Sequence, residues 1–150
     1  MFKKSLLLGA MVMAASFSVS AKDWKEIRVA IDPTYKPFTY KTPDGKPTGF
    51  DVKIAEALCA KIKAKCVFVE QQWDAMIPGL MAKKYDTIVS SMSITEDRLR
   101  QVDFSSKYYK TSSKIVVHKD IKTDGSPASL KGKKIGVLKG STQEKYAKGE

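Results

Sequence analysis

YDTIVSSMSITEDR, residues 85–98, runs from a β-branched apolar segment into a cluster of small hydroxyls and ends on an arginine. Tyr85–Ser90 predicts a strand, because aromatic and β-branched side chains suit a pleated, half-buried surface. Thr95 predicts a helix N-cap, with Glu96 and Asp97 in the first turn, where carboxylates meet the positive end of the helix. A strand that ends in serines and leads at once into a helix start is one step of an alternating α/β chain.

The same alternation extends upstream. Glu26–Asp32, EIRVAID, alternates Ile27, Val29 and Ile31 and predicts a strand that Pro33 stops. PTYKPFTY then predicts an extended, aromatic-rich loop, and TPDGKPTG a turn. A helix is expected from about Asp51, with Ile54, Leu58 and Ile62 along one face, Ala55 and Cys59 beside them, and Asp51 as its cap. Cys66–Glu70 predicts a second strand. Trp73–Leu80 opens a second helix whose first turn tolerates Pro78, since the missing N–H has no partner there. Strand, helix, strand, helix, strand implies an α/β fold around a parallel sheet.

Downstream, FSSKYYKTSSKIVVHK predicts an extended crossing and then a strand at Ser113–His118, with His118 in a structural role. Ile135–Leu138 predicts another strand, Gly140 a tight turn, and Ser141-Thr142 a helix start. One strand and one short helix cannot enclose a core. The expected organisation is therefore one nearly complete α/β lobe followed by the beginning of another.

The first 21 residues differ in kind. Lys3 and Lys4 precede an apolar run, Leu6–Phe17, and Val19-Ser20-Ala21 has the small side chains of a cleavage site. The run is shorter than the roughly 20 residues a membrane span needs. A cleaved secretory signal over residues 1–21 is expected, hence an exported protein. The formal charge is +11, of which Lys3 and Lys4 contribute two, leaving +9. Nearly all the excess is scattered lysine, and Arg28, Arg98 and Arg100 are the arginines. Nucleic-acid binding favours clustered arginine with interleaved aromatics, so no nucleic-acid partner is expected. In an oxidising compartment Cys59 and Cys66 predict one disulfide. The competing reading, a metal pair, has poor spacing and His118 as its one histidine.

In open α/β sheets ligands sit beyond the carboxyl ends of the strands. Here those ends carry Asp32 and Tyr35, then Ser90, Ser91, Ser93 and Arg98, then Gly140, Ser141 and Thr142, with Trp73 after the second strand. Arginine grips carboxylates in a two-pronged fork, and a helix start offers free N–H groups. Asp32 suits a cation at the opposite end, and Tyr35 and Trp73 offer flat faces for an apolar stem. A zwitterion with a cationic side chain fits the whole set. Each residue alone also has a plain reading: Asp32 as a turn former before Pro33, Arg98 as a solvated first-turn residue, Tyr35 and Trp73 as core. No nucleophilic triad, metal cluster, phosphate loop or cofactor motif is evident.

DPTYKPFTY, GFDVKIAEAL, the two cysteines, WDAMIPGLMAKKYD, SSMSITEDR, DFSSKYY and LKGKKIGVLKGSTQE occur together and in order. This set resembles the periplasmic type II solute-binding proteins for polar amino acids, especially members that bind lysine, arginine, ornithine or histidine. The resemblance covers residues 22–150. It implies a two-lobe α/β fold of the periplasmic binding protein type II kind, with lobe 1 mostly present over 22–110 and a hinge crossing plus the start of lobe 2 over 111–150. It also implies a monomer that binds an amino acid between the lobes and passes it to an ABC-transporter permease in the inner membrane.

In that family the position of Arg98, with amides at Ser93 and Thr142, holds the α-carboxylate. The Ser93 hydroxyl meets the α-ammonium, Tyr35 and Trp73 flank the side chain, and Asp32, Ser90 and Ser91 meet its polar tip. The resemblance implies an aspartate contact from lobe 2 as well, at a position after residue 150, so weak binding is expected of residues 22–150 alone. The alternatives on the same fold are a periplasmic dehydratase and the ectodomain of a signalling receptor.

Overall fold

The computed structural model describes residues 23–149. The expected secretory segment therefore lies outside the described residues. The centre of the fold is a three-stranded parallel sheet. Its strands are β1 (Glu26–Ile31), β5 (Lys65–Glu70) and β6 (Thr87–Ile88). β1 pairs along its whole length with β5, from Glu26 opposite Lys65 to Ile31 opposite Glu70. β6 pairs through Val29–Thr87 and Ala30–Ile88. The third strand is shorter than Tyr85–Ser90, but its flanks stay attached: the amides of Asp86 and Val89 donate to the carbonyls of Arg28 and Ala30.

β1 is flanked by strands on both edges, which is why its second half is buried, with Val29, Ala30 and Ile31 at most 1% exposed. α1 (Phe50–Lys61) lies over it. The buried face of α1 is Val52, Ala55 and Cys59, packed with Val29 and Ile31. That differs from the expected Ile54, Leu58 and Ile62 stripe. Both series have helical spacing, and β1 takes the smaller side chains, which let the helix approach. Leu58 and Ile62 are left more than half exposed. Full burial of a Val or Ile contributes about 1.5–3 kcal/mol.

The expected disulfide joins Cys59, near the end of α1, to Cys66, near the start of β5, with Cα atoms 5.8 Å apart. Closing so short a loop limits the unfolded chain and contributes about 2–3 kcal/mol in the chain-entropy model.

Between β1 and α1 the chain forms a second, antiparallel sheet of β2 (Thr34–Tyr35), β3 (Thr39–Lys41) and β4 (Pro47–Thr48). The sequence predicts only loop and turn here, because segments of two or three residues interrupted by prolines carry no readable alternation. A 3₁₀ turn at Trp73–Ala75 leads into α2 (Met76–Met81). Tyr85, 1% exposed, donates from its hydroxyl to the Met76 carbonyl at 2.5 Å. Gly79 makes that approach possible: a Cβ there would fall 2.2 Å from the tyrosine oxygen.

α3 (Glu96–Leu99) follows β6, with Thr95 at its N-cap as expected. Beyond it, α4 (Pro127–Leu130) and α5 (Thr142–Lys148) are capped by Ser126 and Ser141. Ser113–His118 and Ile135–Leu138 form no strands, contrary to expectation. A strand needs a neighbour to take its hydrogen bonds, and among the described residues nothing is paired with either segment. His118 is correspondingly exposed, its ring nitrogen 3.1 Å from the Asp120 carboxylate, and has no structural role in a sheet. Among the described residues no helix is long and apolar enough to cross a membrane.

Candidate functional site

The carboxyl ends of β1 and β6 lie side by side, which brings Asp32 to Ser90. The Asp32 amide donates to the Ser90 hydroxyl oxygen at 3.2 Å. The Asp32 carboxylate turns onto Thr34, two residues on, accepting from its amide at 3.1 Å and its hydroxyl at 2.6 Å. Both the turn reading and the strand-end position of Asp32 are thus realised. Asp32 and Ser90 are buried, 7% and 4% exposed.

Arg98 is 9% exposed and sits in α3, where the Thr95 hydroxyl and carbonyl both accept from its backbone amide. Its guanidinium donates to the Ser93 carbonyl at 2.8 Å and to the Gly140 carbonyl at 3.1 Å. The Trp73 ring covers it, with the guanidinium carbon 5.4 Å from the ring centre. Burial pushes the guanidinium pKa down. Arginine nevertheless stays charged in a protein, because the delocalised guanidinium holds its proton far more strongly than other side chains do. Its hydrogen-bond partners among the described residues are carbonyl dipoles, and no carboxylate balances it. A buried cation without a countercharge is costly. A ligand carboxylate would supply that charge at the guanidinium's remaining N–H donors.

The turn that meets Arg98 comes from the far end of the chain. Gly140 adopts φ +75°, a left-handed conformation open to glycine at no steric cost. Its amide donates to the Glu144 carboxylate at 2.6 Å, while the Ser141 hydroxyl accepts from the Glu144 amide at 3.1 Å. The Gly140 amide, with Lys148, holds the Glu144 carboxyl below its usual range. These bonds order the start of α5 locally, and the Arg98–Gly140 bond, Lys139 on Asp74 at 3.0 Å and Lys145 on Asp97 hold it against the first unit. Ser141 is buried and spent on the cap. Thr142 is the first helical residue, its hydroxyl facing Gln143 at 3.3 Å.

Trp73, Ser93, Arg98 and Gly140 therefore converge, as do Asp32 and Ser90. Gly140 enters through its carbonyl, a backbone role that its place in a turn did not disclose. Tyr35 is 51% exposed and stacks on Phe38, ring centres 5.4 Å apart. Phe38 in turn stacks on Tyr109 at 5.3 Å. Ser91 departs from expectation: its hydroxyl donates to the Asp51 carboxylate at 2.6 Å, toward the interior. Asp51 departs as well. Gly49 holds the N-cap of α1, and Asp51 lies within the first turn, fully buried. Its other oxygen accepts from the Tyr108 hydroxyl at 2.9 Å. Nothing in the local sequence pairs residues so far apart.

Residues 27–147 match the family described as bacterial extracellular solute-binding proteins, family 3. The chain belongs to this family. It is 47% identical to the L-arginine-binding protein of Pseudomonas aeruginosa over 149 residues, which are 99% of this chain and 57% of that protein. It is 44% identical to the histidine-binding periplasmic protein of Salmonella typhimurium, over 96% of this chain and 56% of that one. An ancestral arginine-binding protein solved with arginine superposes with a TM-score of 0.81 at 39% identity, over 85% of this chain and 57% of the other. The chain thus spans a little over half the length of these relatives and shares part of their two-lobe fold. The relatives are binding proteins by name.

Proposed function

We propose that this chain supplies most of the first lobe and the beginning of the second in an exported, periplasmic amino-acid-binding protein that serves an ABC-transporter permease. Its ligand is a basic amino acid: arginine, lysine, ornithine or histidine. Residues 1–21 direct export and are removed, residues 22–110 belong to lobe 1, and 111–150 carry the crossing and the start of lobe 2. The observation that carries this reading is Arg98, a buried guanidinium held by two carbonyls and a tryptophan face, with no carboxylate partner among the described residues.

In this reading the ligand carboxylate docks on the Arg98 fork and on the amides of Ser93 and Thr142. The Ser93 hydroxyl meets the α-ammonium. Trp73 and Tyr35 flank the aliphatic stem, and Asp32, with Ser90 beside it, faces the cationic tip. Ser91 serves the site through its carbonyl, since its hydroxyl is engaged by Asp51 and its amide by Tyr108. No bond is made or broken. Binding exchanges hydration for fixed donors, and lobe closure retains the ligand. The family membership and the arginine and histidine binding named for its relatives support the ligand class.

Titration by nuclear magnetic resonance reads weak as well as tight binding. Arginine and lysine should give saturable shifts at the amides of Ser93 and Thr142 and at the Trp73 indole. Leucine at equal concentration should give none. Saturable binding of leucine, with arginine and lysine both silent at millimolar concentration, would overturn the reading.

A further inference from the structure

Three non-glycine residues have positive φ among those described: Lys63, Lys83 and Ser91. The two lysines follow the ends of α1 and α2, where a left-handed residue commonly closes a helix. Ser91, at φ +52°, follows a strand and has no helix to end. L-residues avoid this conformation unless the surroundings impose it.

A closed ring of hydrogen bonds imposes it here. The Ser91 amide donates to the Tyr108 hydroxyl oxygen at 3.1 Å, and the Tyr108 hydroxyl donates to one oxygen of Asp51 at 2.9 Å. The Ser91 hydroxyl donates to the other Asp51 oxygen at 2.6 Å. Asp51 is anchored in turn, because its amide donates to the Phe38 carbonyl at 2.9 Å and its side chain is fully buried. Among the described residues no cation joins the ring. Burial raises the pKa of Asp51 while both hydroxyls oppose that shift, and burial together with Asp51 raises Tyr108. Two residues beyond Ser91 stands Ser93, whose carbonyl holds Arg98. Tyr108 lies just before the crossing, and residues 91–94 and 104–111 together line a cleft of about 300 Å³.

We propose that Asp51 is a positioning residue for the ligand seat. It fixes the left-handed turn at Ser91 and so aims Ser93 and Arg98. Through Tyr108 it ties that seat to the segment that leads into the crossing. The proposal rests on the amino-acid-binding reading for its affinity readout. Its conformational readout is independent of any ligand.

The test uses Asp51→Asn, Tyr108→Phe and the double variant, each measured for arginine affinity and for the Ser91 backbone coupling constant, which reports φ. Asp51→Asn should weaken arginine binding about tenfold or more and move Ser91 toward extended φ. Tyr108→Phe should act in the same direction and add little in the double variant, because the ring breaks once. In a Ser91→Gly background, where φ +52° is unstrained, the loss from Asp51→Asn should shrink.

A lower melting temperature with Ser91 φ unchanged and affinity within twofold would overturn the proposal. So would additive losses in the double variant. If Asp51→Asn fails to fold, Tyr108→Phe, which removes one hydroxyl, decides by the same two readouts. If the unmodified protein binds no arginine while Asp51→Asn still releases Ser91, the ligand assignment fails and the conformational role stands.

Discussion

Residues 26–105 and residues 111–149 contain the same kinds of segment, and only the first set forms hydrogen-bonded sheets. In the first, β1 lies between two parallel strands and under α1, so Val29 and Ile31 are buried. In the second, KIVVHK and KIGVL have equal strand propensity, yet every residue of 111–120 and of 131–140 is exposed. Propensity becomes a strand only where a neighbour accepts its hydrogen bonds. The second region is ordered locally, by the caps at Ser126 and Ser141. It is held to the first by a few polar contacts at its turn: Gly140 on Arg98, Lys139 on Asp74 and Lys145 on Asp97.

The comparison can be broken most directly with paired truncations. Ile31→Ala should cost about 2–5 kcal/mol in urea unfolding, as large core truncations do. Ile135→Ala, at a residue 41% exposed, should stay within about 0.5 kcal/mol. Equal losses would mean that the second region shares the core. Next in size is the disulfide. Replacing Cys59 and Cys66 by serine should lower stability by about 2–3 kcal/mol. The faster amide exchange that follows should be confined to the first region, and equal acceleration in 126–148 would contradict the separation.

The smallest effect belongs to the second region alone. The Ser126 amide donates to the exposed Asp124 carboxylate at 2.9 Å, and bonds of this kind lower its pKa to about 2. A lowered carboxyl stabilises the fold above its unfolded pKa, and that contribution is lost as pH falls through the folded value. Local order around Ser126 should therefore persist down to pH of about 2. A carbon-13 titration that places Asp124 at its ordinary value would remove this anchor.

The βαβαβ order, the Thr95 and Ser141 caps and the Cys59–Cys66 bridge were legible because each depends on residues close in sequence. The face of α1 was half legible: Ala55 and Cys59 were expected beside the stripe and are buried, but two apolar series share helical spacing, and only packing against β1 selects Val52 with them over Leu58 and Ile62. The β2–β4 sheet was too short to show alternation. The strands expected at 113–118 and 135–138 depended on partners that no local pattern supplies. At the site, Trp73, Arg98 and the strand ends were legible from their positions. The inward hydroxyl of Ser91 and the burial of Asp51 were not, because their partners lie 40 and 57 positions away.

Arg98 joins the two regions and carries the proposed function. The decisive measurement compares arginine binding by the unmodified protein and by Arg98→Ala, with a thermal melt as control for folding. Losing a desolvated partner of the ligand carboxylate should cost about 2–5 kcal/mol. That is a loss of roughly 30- to 4,000-fold in affinity, with agmatine, which lacks the carboxylate, binding no better than arginine does to the variant. Equal arginine affinity in the two proteins, both folded, would contradict the account.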